Sequence, residues 1–196
     1  AHAIDQAAQH AALRQVKVTA TGVTLRMLAA RAGSVAAVKA VLGCDGAGEE
    51  AGTATHKYKC TALHYAAEAG AEAEAVAALV EAGERACVGM PDANKQTPLG
   101  VACANGFDAT AQALLVANAD PNGVTKVFGI DHLMLPHMTP LMMASFNGHE
   151  STLNLLLNQG AELELQSTNS KGQTQMTALM LACFAGKSIV VRTLLN

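Results

Sequence analysis

Five times along this chain a threonine opens the same phrase: TLRMLAARAG from Thr24, TALHYAAEAG from Thr61, TPLGVACANG from Thr97, TPLMMASFNG from Thr139 and TALMLACFAG from Thr177. Self-similarity at such a period means one supersecondary unit stacked several times, because one unit cannot bury its apolar face alone. Each phrase carries its own start and stop signals. A hydroxyl just ahead of a helix accepts a bond from an unpaired N–H of the first turn. Pro98 and Pro140 stand at the first helical position, where a missing N–H costs nothing. The closing Gly allows the left-handed turn that a Cβ disfavours. Helices are therefore predicted over 25–32, 62–69, 98–105, 140–147 and 178–185, each followed by a second, outer helix. Glu150 to Leu157 and Ala109 to Val116 show the apolar spacing expected of those outer helices.

Composition suits such a stack. Of 196 residues, 51% are hydrophobic, mostly Ala, Leu, Val and Met, with no Trp and 3% aromatic. Small side chains let short helices approach closely. No apolar run reaches the ~18 residues of a membrane span, so no membrane insertion is expected. The start, Ala1 to Val18, lacks the cationic and apolar regions of a signal peptide. A net charge of −3 is too mild to suggest nucleic acid. Residues 1–120 hold 9 Lys/Arg and 12 Asp/Glu, whereas residues 121–196 hold 4 of each and three of the four Phe.

The phrases resemble the T-P-L-H-x-A-A signature of ankyrin repeats, and the resemblance runs from about Thr24 to Asn196. The tails Asn118-Ala119-Asp120-Pro121-Asn122 and Gln159-Gly160-Ala161-Glu162 are similar to that family's G-A-D-x-N loop. The resemblance implies an all-α fold, an ankyrin-type helical solenoid with projecting hairpin loops. It also implies a concave face, formed by the inner helices, that meets partners. His64 occupies the family's His place, where the ring bonds neighbouring loop groups.

Several features depart from the pattern. The threonine spacings are 37, 36, 42 and 38 residues, against a family period of about 33. The longest linker contains Gly123 to Met138, GVTKVFGIDHLMLPHM, expected as a hairpin finger rich in apolar residues. Gly43 to Cys60 is Gly/Ala/Glu-rich and expected to be mobile. In the first copy Arg26 stands where Leu63, Leu99, Leu141 and Leu179 sit, which suggests a shifted or edge repeat. Residues 1–23 read as an N-terminal helix, Ile4 to Val18, or a degenerate capping repeat; residues 24–196 hold five repeats, the last cut short. That ending suggests a segment of a longer protein.

Catalytic and metal chemistry find little support. Gly186-Lys187-Ser188 lacks the first glycine of a phosphate loop, since residue 181 is Leu. His132 and His137 lie near Asp131 but without a C-x-x-C or H-E-x-x-H frame. No catalytic residue, no metal site and no cofactor is expected. The five cysteines form no C-x-x-C pair, which points to a reducing intracellular, cytoplasmic setting. Cys103 and Cys183 fall where other copies have Ala30, Ala67 and Ser145, so both are expected to be buried. Cys44 and Cys87 are expected in loops.

One constellation points to binding. The concave-face place directly after the Ala-Ala-type pair holds Arg31, Glu68, Ala104, Phe146 and Phe184. Met138 and Met176 precede two of the threonines at finger bases, and Phe128 and Leu133 lie in the long finger. Phe and Met at low charge density are typical of binding hot spots. The expected partner-binding set is Phe128, Leu133, Met138, Phe146, Met176 and Phe184, and the expected partner is another protein. Three readings follow: a protein–protein interaction scaffold, a structural subunit of a large cytoskeletal or ciliary assembly, or a regulatory or targeting module of a longer enzyme or channel. The oligomeric state is left open.

Overall fold

A computed structural model of the chain describes residues 22–44, 54–55, 58–126, 137–167 and 176–196. The N-terminal helix expected over residues 4–18, and most of the Gly43 to Cys60 linker, lie outside the described residues.

Five helix pairs follow one another. The inner helices are α1 (Leu25–Arg31), α3 (Ala62–Ala69), α5 (Pro98–Asn105), α7 (Pro140–Asn147) and α9 (Ala178–Phe184). Their outer partners are α2 (Val35–Cys44), α4 (Ala73–Glu81), α6 (Asp108–Val116), α8 (Glu150–Asn158) and α10 (Ser188–Leu195). Inner helices pack on inner helices in sequence order, and outer on outer, so one core runs through the stack.

The local reasons are the expected ones. Thr24, Thr97, Thr139 and Thr177 accept through Oγ1 from the backbone N–H of Met27, Gly100, Met142 and Met180, at 3.1–3.4 Å. The second repeat differs: Thr61 donates its backbone N–H to His64 Nδ1, at 3.2 Å. With Nδ1 accepting, the proton sits on Nε2, which donates to the Gln96 carbonyl at 2.9 Å. Burial holds the His64 pKa below its usual value, which keeps the ring neutral, as this bonding pattern requires.

Gly70, Gly106 and Gly148 end α3, α5 and α7 at φ of 67°, 73° and 86°. In the first and last pairs the helix stops one residue earlier, at Ala32 and Ala185, with the left-handed Gly following. A second constraint acts on the three inner glycines. A Cβ on Gly70 would lie 2.8 Å from the Phe107 ring, on Gly106 2.5 Å from His149 Nδ1, and on Gly148 2.7 Å from Lys187 Cδ. The residue after each turn glycine thus lies over the turn glycine of the preceding repeat. Gly186 has nothing within 4 Å of its would-be Cβ.

Arg26 corrects one expectation. The first repeat is not shifted: Arg26 lies 4% exposed in α1, at the place where Leu63, Leu99 and Leu141 are also buried.

Every inter-repeat linker returns through one backbone bond at its root. Thr55 N–H donates to the Cys60 carbonyl, Asp92 N–H to Gln96, and Ser167 N–H to Met176, at 2.8–3.0 Å. In the longest linker β1 (Thr125–Lys126) pairs antiparallel with β2 (His137–Met138), with Thr125 opposite Met138. The stack is an all-α solenoid with projecting hairpin loops.

Candidate functional site

The inner helices share one face, and its character changes along the stack. At the place held in turn by Arg31, Glu68, Ala104, Phe146 and Phe184, the first two residues are exposed and charged. Ala104 and Phe146 are half-buried against the core. Phe184 is 56% exposed, and Met180, one turn earlier on α9, is 51% exposed.

The N-terminal half of this face is a mixed aromatic and charged cluster. Burial raises the Tyr65 pKa, the nearby ionisable groups of Cys60, Glu68 and Tyr58 add to the rise, and Arg31 opposes it. Cys60, Glu68, Tyr58 and Arg31 therefore lie within electrostatic reach of Tyr65, Tyr58 being 46% exposed. The C-terminal half is apolar and holds the Phe and Met side chains.

Of the six partner-binding residues expected from the sequence, the structure places four. Phe146 and Phe184 occupy equivalent positions on the neighbouring helices α7 and α9. Met176 is half-buried at a finger base, packed against the core. Met138 is 1% exposed and belongs to the core, so its side chain is withheld from the open face. Phe128 and Leu133 lie outside the described residues.

Three cysteine expectations are corrected, the first being that Cys44 closes α2 and does not lie in a loop. Cys183 is exposed, whereas Ala30, Ala67, Cys103 and Ser145 at the same repeat position are all at 0%. The position is buried by the inner helix of the following repeat, and nothing in the described stack follows α9 on that side. Cys87 is buried within the 3-10 turn Glu84–Cys87, not displayed in a loop. Burial pushes the Cys103 thiol far above the usual range and the Cys60 thiol up to about 11. Alkylation of the native protein should therefore modify Cys183 before Cys60 and leave Cys103 and Cys87 to react only as the chain opens. Mass spectrometry of timed, quenched samples checks this, and fast labelling of Cys103 would contradict the stacking described here.

Four residues important to the loops escaped the sequence reading. Thr55, Asp92, Thr125 and Ser167 are polar yet at most 7% exposed, one at each linker root. Three accept the backbone N–H of the residue just before the helix-capping threonine: Cys60 to Thr55 Oγ1, Gln96 to Asp92 Oδ1 and Met176 to Ser167 Oγ, at 2.8–3.1 Å. The fourth, Thr125, meets Thr97 Oγ1 at 3.1 Å and lies against Gly100. That contact explains why the third repeat has Gly where others have Met or His: a Cβ there would sit 2.5 Å from Thr125 Oγ1. Thr55 and Asp92 each stand 31 residues after the preceding capping threonine, and Thr125 and Ser167 each 28, but the residue type varies and so does the distance to the following threonine, which hides them in the sequence.

Among the described residues no group of three His, Cys, Asp or Glu side chains is arranged to hold a metal ion. No helix among them is long and apolar enough to cross a membrane. A family profile described as ankyrin repeats in three copies matches residues 26–125 and again residues 126–196. No curated protein matches the chain.

Proposed function

Since the chain belongs to the ankyrin-repeat family, whose repeats are in general protein–protein interaction modules, we propose that it is a scaffold that recruits a partner protein along its inner-helix face and hairpin loops. The observation that carries the reading is the exposure of Phe184 and Met180 on α9, at 56% and 51%, beside the half-buried Phe146 of α7. Large apolar side chains grouped on a rigid surface are the usual anchors of a binding hot spot. A stack of preformed helix pairs loses little ordering entropy on binding. The mild charge favours a protein partner over nucleic acid. The free thiols of Cys60, Cys87, Cys103 and Cys183 suit a reducing, intracellular compartment.

Affinity capture tests the reading, with the wild-type chain beside a Met180→Ala/Phe184→Ala variant, followed by titration of each captured protein. The variant should bind about 2 kcal/mol or more weakly, as hot-spot truncations do. Its melting temperature should stay near that of the wild type, because both side chains are exposed. Equal affinity of the two chains for every captured protein would move the contact away from α9.

A further inference from the structure

Two departures from the repeat pattern enter the core, and each lies within electrostatic reach of the other. Arg26 of α1 takes the place of a buried Leu and is 4% exposed. Glu84 follows the left-handed Gly83, just as Ala119 follows Asn118 and Ala161 follows Gly160. Those two alanines are buried, and Glu84 in their place is 1% exposed. Its carboxylate accepts the Leu63 N–H in the first turn of α3, the helix on which α1 packs, and the Arg26 charge acts on it.

We propose that Arg26 and Glu84 are one conformational device: a coupled pair of charges at two apolar stacking sites that makes the first repeat open from the second more readily than the array's own pattern would allow. At the corresponding places the later repeats carry the buried apolar side chains Leu99, Leu141, Ala119 and Ala161. A buried ion pair must first be stripped of water, and well-packed apolar residues of similar volume often stabilise more than the pair does. Here the compensation is incomplete. Glu84 Oε2 has no hydrogen-bond partner, and burial pushes the Glu84 carboxyl up to about 7 against the pull of Arg26. Opening of α1 and α2 would uncover the side of α3 on which α1 packs. The pair thus sets how often that face becomes accessible.

Amide hydrogen exchange of the purified chain at pH 8 tests this, read over residues 25–44 and, as an internal control, over residues 97–118. Arg26→Leu/Glu84→Ala restores the residues that the other repeats carry. It should slow exchange over 25–44 at least tenfold and leave 97–118 unchanged. Each single substitution removes one charge and leaves the other at a buried site, and should accelerate exchange over 25–44 at least tenfold. A single variant that does not fold counts as the same destabilisation, and the double variant still decides. Exchange in the double variant equal to or faster than wild type would overturn the proposal. So would single-variant effects that simply add in the double.

Discussion

Leu99→Ala should lower the stability of the array by about 3–5 kcal/mol, the cost of a cavity in a close-packed core. Leu179→Ala, at the equivalent place on α9, should cost about 1 kcal/mol, because that side chain is already partly exposed. Leu99 is 1% exposed on α5, which packs between α3 and α7, so neighbours on both sides lose contacts when it is cut back. The truncation removes the same atoms in both variants, so the difference isolates what a following repeat contributes. Urea unfolding of both variants, followed by circular dichroism, measures it. Repeat arrays need not unfold in one step, and the transition of the third repeat should move most. Equal losses in the two variants would mean that α9 is covered in solution by something the described stack does not contain.

The second large effect concerns the turn glycines. Gly106→Ala should cost about 2–4 kcal/mol, and Gly186→Ala about 1–2 kcal/mol. Both residues have positive φ, 73° and 68°, so both variants bear the strain of a Cβ in the left-handed region. Gly106 bears a second cost. Its Cβ would lie 2.5 Å from His149 Nδ1, and that ring is tied by Nε2 to the Ala104 carbonyl at 3.1 Å. Either the ring moves and loses a bond worth about 1 kcal/mol, or the two repeats separate slightly. Gly186 has open space around it. Thermal unfolding of the two variants gives the comparison. If Gly186→Ala proved the costlier, the reading of the glycines as inter-repeat contact points would be wrong.

Much of the fold was legible because the signals that set it are local. The inner helices begin after the predicted threonines and end within a residue of the predicted positions. A threonine cap and a glycine turn act within three or four residues of chain, and both recur five times. The ends of the stack read less well. Cys183 was judged by its neighbours in the alignment, yet Cys103 is buried and Cys183 exposed. Met138 looked like part of a binding surface and is instead core, because β2 carries it under α7. Phe184 stands at a place that is open even inside the stack, where Arg31 and Glu68 are exposed, whereas Cys183 is open because no described inner helix packs beyond α9.

The sequence by itself determined the repeating unit, the register of its helices, and the apolar C-terminal half in which the candidate binding residues lie. These depend on hydrogen bonds and side-chain periodicity within a single unit. The tertiary structure alone decided which copies of an equivalent residue are covered. It also showed that Thr125 meets Gly100 and Thr97, and that Arg26 and Glu84, from two repeats, are both buried within electrostatic reach of each other. Such contacts join residues more than twenty positions apart through linkers of unequal length. Pattern along the chain carries no record of them, because burial is a property of what stacks on a side chain and not of the side chain itself.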